Sequence, residues 1–177
     1  MRTAALILCA IAGTWSVPAA ATTIIRLSPD EVAAHASVVV VATVTATQTW
    51  ATPDKGTLRT DLLLDDVEVL KPGGFVPDRL TYTGGELGDV GMAIPGMPDF
   101  AAGMRAVFFI EGDGQSEACP TVGWNQGYYP IDGDDLLLAY PGGWLRLSDQ
   151  GHLVVTDRRD EATRLSDLRT ARVWGAR

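Results

Sequence analysis

One segment constrains the fold more than any other: from Val38 to Trp50, apolar side chains alternate with threonines. One face carries Val38, Val40, Ala42, Val44 and Ala46, and the other carries Thr43, Thr45, Thr47 and Thr49. A period of two residues is that of a β-strand, because a helix repeats about every 3.6 residues. We therefore expect an antiparallel strand here, with one buried face and one face in solvent.

A second strand is expected from Leu58, and its pattern predicts a β-bulge. The face that begins with Leu58 continues at even-numbered positions to Leu64, whereas the later apolar residues Val67 and Val69 are odd-numbered. Since a slip of one residue turns every later side chain to the opposite face, we expect the bulge near Asp65–Asp66. Bulged strands of this kind are what small barrels use to close.

The other elements predict a mainly β fold. Ser28 as cap, Pro29 at the first helical position and Glu31 in a capping box indicate a short helix that ends near Ala36. Further strands are expected at residues 79–83, 105–111, 121–124, 127–131, 136–140, 144–147 and 152–155, and a closing helix at 166–173. The predicted fold is a small antiparallel OB-like β-barrel with a short N-terminal helix and a C-terminal helix.

A long glycine-rich segment at residues 84–103 is expected to be a loop. It carries the apolar side chains of Met92, Ile94, Met97 and Phe100. These either fold down as a plug at one barrel end or form an exposed adhesive ledge, and the plug is the favoured interpretation.

Residues 1–21 have the pattern of a secretory signal peptide. Arg2 precedes an apolar run, and three alanines end the segment at Ala21, where we expect cleavage. The exported chain, residues 22–177, is then one domain in the periplasm or outside the cell. Residues from about 133 onward either complete the barrel or form a hairpin-plus-helix extension. Cys119 is the one cysteine outside the leader, and we interpret it as a small buried hydrophobe.

Charge and motif content argue against several functions. The net charge of −8 would repel nucleic acid and anionic lipid, so neither is an expected partner. His35 and His152 have no zinc-site spacing, and no nucleophile-elbow motif occurs. We therefore expect no catalytic residues, no metal and no cofactor. The one enzymatic alternative is a calcium-assisted hydrolase, for which the acidic turn of Asp132, Asp134 and Asp135 supplies the candidate ligands.

Several segments carry a resemblance to known families. The first set comprises residues 36–44 (ASVVVVATV), 67–73 (VEVLKPG), 80–83 (LTYT) and Gly103 ahead of 107–110 (VFFI). In this order the segments resemble the OB-type barrel of netrin-like domains and of tissue inhibitors of metalloproteinases. With residues 84–88 (GGELG), 98–100 (PDF) and 122–127 (VGWNQG), the chain is also similar to a group of exported bacterial proteins of uncharacterised function, some of which adjoin matrixin-like metalloprotease segments. The inhibitors chelate the protease zinc through a free N-terminal cysteine. The expected mature start, Thr22, has no cysteine nearby, so the resemblance implies the fold and not that mechanism.

Aromatic and amide side chains interleave at residues 122–129 (VGWNQGYY), and two interpretations stay open. Such residues stack on a sugar or hold a peptide, or their rings cover the core. The first functional hypothesis is a non-enzymatic module that binds a protein or glycan partner through Glu86, Trp124, Gln126 and Tyr128. The alternative is a regulator or inhibitor of an extracellular metalloprotease that uses residues 84–103 as an insert.

Overall fold

The structure, a computed structural model, describes residues 25–53, 56–114 and 118–171 and is mainly β, with two short helices. The expected signal peptide lies outside the described residues. The helices are α1 (Pro29–His35) and α2 (Leu165–Thr170). The strands are β1 (Val38–Ala51), β2 (Leu58–Lys71), β3 (Arg79–Thr83), β4 (Gly85–Leu87), β5 (Val90–Met92), β6 (Arg105–Ile110), β7 (Tyr128–Pro130), β8 (Trp144–Leu147) and β9 (Leu153–Thr156). No helix in the described residues is long and apolar enough to cross a membrane.

Five strands form one antiparallel sheet in the order β3-β2-β1-β6-β7, and β4–β5 and β8–β9 are separate hairpins. Strand pairing among the described residues does not close this sheet into a barrel. The sheet is nevertheless strongly curled. Thr121 forms a bridge with Ile110 at the end of β6, and the Ala118 carbonyl accepts a hydrogen bond from the Thr83 N–H of β3 at 2.9 Å. The segment after β6 therefore contacts the far edge of the same sheet.

The predicted first helix is confirmed together with its capping box. The Ser28 hydroxyl accepts a hydrogen bond from the Glu31 N–H at 3.3 Å, and the Glu31 carboxylate accepts one from the Ser28 N–H at 2.7 Å. The helix ends at His35, and Ala36 is already extended. Four valines follow, and such branched side chains favour a strand.

Burial of β1 differs from the prediction of one solvent-facing side. Its first five residues are all buried, because both faces of the sheet are covered there. Val38 and Val40 pack in one apolar cluster with residues of β2, β3 and β6. Val39 and Val41 pack in a second cluster with α1, α2 and the β8–β9 hairpin. From Val44 to Thr47 the predicted alternation holds, with Val44 buried and Thr45 exposed, but it reverses afterwards, since Gln48 is exposed and Thr49 is half-buried.

The predicted bulge in β2 is confirmed. Val41 pairs with Glu68 but Thr43 pairs with Asp65, so β2 has one extra residue at this point. Asp66 takes up the irregularity with a φ of +50°. Two further register shifts, after Val39 and after Val44, gave no signal in the sequence.

Asp66 should tolerate glycine better than a branched residue. We expect Asp66→Val to lower the free energy of unfolding by about 1–2 kcal/mol, because a branched L residue is strained in the left-handed region. Asp66→Gly should leave it unchanged or raise it, since glycine adopts a positive φ freely. Urea denaturation measures both variants. Equal stabilities of the two would contradict the strained bulge.

Other predicted elements are corrected by backbone geometry. Residues 121–124 are not a strand, because Gly123 and Trp124 have φ of +58° and +65° and lead into a 3-10 turn over Trp124–Gly127. Residues 136–140 form only isolated bridges. The segment 84–103 is not all loop, since it contains the β4–β5 hairpin. The strands at 79–83 and 144–147 are confirmed. The closing helix, expected at 166–173, begins at Leu165 and ends at Thr170, because Ala171 is already extended.

Candidate functional site

The aromatic side chains of the predicted contact set belong to the core. Tyr128 is buried, and its ring centroid lies 5.0 Å from that of Phe100 and 5.4 Å from that of Phe108. Trp124 is half-buried and packs against the same apolar cluster. These two rings therefore cover the core, which was one of the two interpretations left open by the sequence.

The polar residues of that set lie in different places. Glu86 is exposed on β4 and lines a cavity of about 590 Å³ between the β4–β5 hairpin and strands β1 and β2. Gln126 lines a separate groove beside α1. The four predicted contact residues do not form one surface.

Part of the glycine-rich segment packs onto the core. Met97 and Phe100 pack against the cluster of β2, β3 and β6, and the Phe100 ring lies 4.6 Å from the buried ring of Tyr82. At the tip of the β4–β5 hairpin, in contrast, Leu87 and Val90 are exposed. The segment thus covers the core with one half and presents apolar side chains with the other.

The acidic turn is held by backbone amides and by an arginine. Asp132 Oδ1 accepts hydrogen bonds from the N–H groups of Asp134 and Leu136 at 3.0 and 2.9 Å. The Arg159 guanidinium donates to both Asp132 and Asp134. The hydrogen bond from the Leu136 N–H is the largest cause that lowers the pKa of Asp132, and those from the Asp134 N–H and from Arg159 lower it further. No group of three or more His, Cys, Asp or Glu residues that could hold a metal ion occurs within the described ranges.

Cys119 is buried, as expected, and its environment disfavours the thiolate. Its Sγ lies 3.2 Å from the Thr121 hydroxyl. Burial raises the pKa of the thiol to about 11, against an ordinary value of 9.0. A nucleophilic role is not supported, because the thiolate is the reactive form.

This shift makes stability depend on pH. A folded-state pKa above the unfolded value contributes stability that is complete below the unfolded pKa and is lost as pH rises through the folded one. We expect the free energy of unfolding to fall between pH 9 and about 11, and Cys119→Ala to fall less steeply there. Denaturation midpoints across this range, measured for both proteins, check the difference. Parallel curves would contradict the assignment.

A larger groove lies beside the entry to α1, and we call it the amide groove. Its volume is about 760 Å³. It is lined by residues 26–29 and Glu31, by Asn125, Gln126 and Tyr129, and by residues 139–141 and 153–155. Tyr140 and Val155 form exposed parts of its apolar wall.

Two residues with polar side chains line this groove, are largely buried, and have no side-chain hydrogen bond to another described residue. Asn125 is 6% exposed and Tyr129 is 3% exposed. Within the described part of the chain, neither the Asn125 amide nor the Tyr129 hydroxyl makes a hydrogen bond. Burial raises the pKa of Tyr129, so the hydroxyl keeps its proton. The residues are largely buried as a whole, but their polar atoms remain accessible to solvent, so they are available to a ligand that enters the groove.

Asp30 fixes the two sides of the groove relative to each other. Its Oδ1 accepts a hydrogen bond from the Leu153 N–H at 2.6 Å, and its Oδ2 lies 2.6 Å from His152 Nδ1. Helix α1 is thereby joined to β9. The groove is a preformed feature of the fold.

The interleaved aromatic and amide residues at 122–129 contain the predicted contact residues Trp124, Gln126 and Tyr128. Of these, Gln126 lines the groove, whereas Trp124 and Tyr128 pack against the core. The pattern does not single out Asn125 and Tyr129, which also line the groove. The 3-10 turn determines which of these side chains meet in the groove. The alternation expected of a strand does not reveal this arrangement.

No family model, no curated protein and no solved structure matches this chain.

Proposed function

We propose that the protein is an exported, non-enzymatic binding module and that a protein partner binds in the amide groove. The supporting observation is that Asn125 and Tyr129 line the groove with polar side chains that make no hydrogen bond within the described residues. Their polar atoms remain accessible to solvent. A ligand that hydrogen-bonds to both would replace that solvent, and a hydrogen bond of this kind contributes about 0.5–1.5 kcal/mol net.

The rest of the lining suits recognition. Leu27, Pro141 and Leu153 supply apolar wall, and seven of the fourteen lining residues carry a polar side chain. Pockets that bind ligands combine mostly apolar walls with a few placed polar groups, in volumes of about 300–1,000 Å³. The groove of about 760 Å³ falls in this range.

Glu31 supports binding in preference to acid–base chemistry. Among the described residues it is the one carboxylate that lines the groove. Hydrogen bonds from Ser28 lower its pKa, because they stabilise the ionised form. A carboxylate already used as part of a helix cap is poorly suited to accept or donate a proton in a reaction.

An OB-like barrel is part of the proposal. The bulge at Asp66 and the contact from Thr83 to Ala118 support it, since both curl the sheet toward closure. Export rests on the leader-like pattern of residues 1–21.

A photo-crosslinking amino acid tests the site. We would place it at Tyr140, on the exposed wall of the groove, and at Val76, an exposed apolar residue that lines neither this groove nor the cavity beside Glu86. In the native organism we expect a protein adduct from position 140 that position 76 does not give. Equal adducts at both positions, or none, would contradict the proposal. An adduct to a polysaccharide would indicate the glycan partner instead.

A second candidate function is favoured by the β4–β5 hairpin. Exposed Leu87 and Val90 at its tip would suit insertion into the cleft of an extracellular metalloprotease. If the protein slows such a protease, Val90→Asp should abolish the effect. A protease whose rate is unaffected by the wild-type protein would count against this function.

A further inference from the structure

The side chain of Gln126 shows how this groove holds a main chain. Its Oε1 accepts a hydrogen bond from the Leu27 N–H at 2.7 Å, and its Nε2 donates one to the Ile25 carbonyl at 2.9 Å. These two groups lie two residues apart, in a segment outside any helix or strand. One carboxamide thus pairs with an N–H and a C=O of the same chain, since it carries both a donor and an acceptor.

Asn125 carries the same functional group at the next position and makes neither bond within the described residues. We propose that the amide groove binds an extended, uncharged segment of the partner protein, with the Asn125 carboxamide paired to the main chain of that segment. This inference rests on the proposed function and adds the chemistry of the ligand. Main-chain pairing of this kind is the basis of strand-like peptide recognition.

Tyr129 supplies a second, fixed contact for the same segment. Its ring packs 5.1 Å from the Phe109 ring, so the hydroxyl at the end of the ring is held in place. The hydroxyl donates to a carbonyl or accepts from an N–H. Together with Asn125 it would satisfy up to three main-chain groups of a bound peptide.

The charges that line the groove indicate an uncharged ligand. Within the described part of the chain, two charged residues line it, Arg26 and Glu31, and their opposite charges balance. The exposed wall is apolar at Tyr140 and Val155. A segment with apolar side chains would bury these surfaces, whereas a strongly charged segment would lose hydration without a matching partner.

Selection from a random heptapeptide display library tests the inference. We expect the wild-type protein to enrich uncharged, apolar sequences. For the best synthetic peptide, Asn125→Leu should weaken binding by about tenfold or more, because the main-chain pair loses its partner. Methylation of a main-chain nitrogen in the peptide should have a similar effect. Gly133→Ala, in an open turn outside the groove, is the matched control and should bind as the wild type does.

The experiment also has outcomes that would overturn particular parts of the inference. Thermal denaturation should show Asn125→Leu at least as stable as the wild type, so that lost binding is not lost folding. Peptides that bind equally well to Asn125→Leu would overturn main-chain pairing. Enrichment of acidic or basic peptides would overturn the uncharged ligand. If no peptide is enriched while the crosslink at Tyr140 still captures a protein, the peptide mode fails and the proposed function stands.

Discussion

Replacing Leu168 by alanine is expected to lower the free energy of unfolding by about 2–5 kcal/mol. Leu168 lies on α2, is fully buried, and shares an apolar cluster with Val39, Val107 and Phe109 of the central strands. The cavity left by alanine would lie on the face of the sheet that α1, α2 and the β8–β9 hairpin cover. Urea denaturation of the chain, followed by tryptophan fluorescence and by circular dichroism, measures the loss.

The control is Ser166→Ala on the same helix, where the side chain is exposed. It should change stability by less than about 0.5 kcal/mol. The two optical probes should give one coincident transition for Leu168→Ala. If Leu168→Ala leaves the main transition unchanged, or splits it in two, the C-terminal residues are an appendage and do not belong to the same core.

Gly127→Ala is expected to destabilise the protein by about 3 kcal/mol. A Cβ on Gly127 would lie 2.6 Å from the Val122 carbonyl oxygen and 3.0 Å from that of Phe109. Both neighbours are backbone atoms, so no side chain can rotate away to relieve the contact. The 3-10 turn would have to move off β6, and the positions of Asn125 and Tyr129 would change with it.

Gly133→Ala provides the matched control, because nothing lies within 4 Å of a Cβ built there. Thermal and urea denaturation of the two variants give the comparison. Equal stability of Gly127→Ala and Gly133→Ala would show that the turn does not approach β6 this closely. The affinity for a selected peptide should also fall in Gly127→Ala, since the groove depends on the turn.

The groove depends on contacts between distant parts of the chain. Gln126 holds residues 25–27 across a separation of about one hundred residues, and Asp30 holds Leu153 across more than that. The N-terminal segment, the 3-10 turn and β9 therefore form the groove only in the folded state. Because the lining residues come from distant parts of the chain, no short sequence motif describes this groove.

The sequence alone determined the features that depend on neighbouring residues. The capping box at Ser28 satisfies the first amides of α1 locally, and the alternation in β1 and the phase change before Val67 follow from the pleat of a strand. Tertiary structure decided the rest. Val39 and Val41 are buried only because α2 and the β8–β9 hairpin cover that face. Asn125 and Tyr129 meet in the groove only because the turn at Gly123 and Trp124 packs between α1 and β6. Burial and pairing of a side chain are set by residues far away in sequence, and a local pattern carries no record of them.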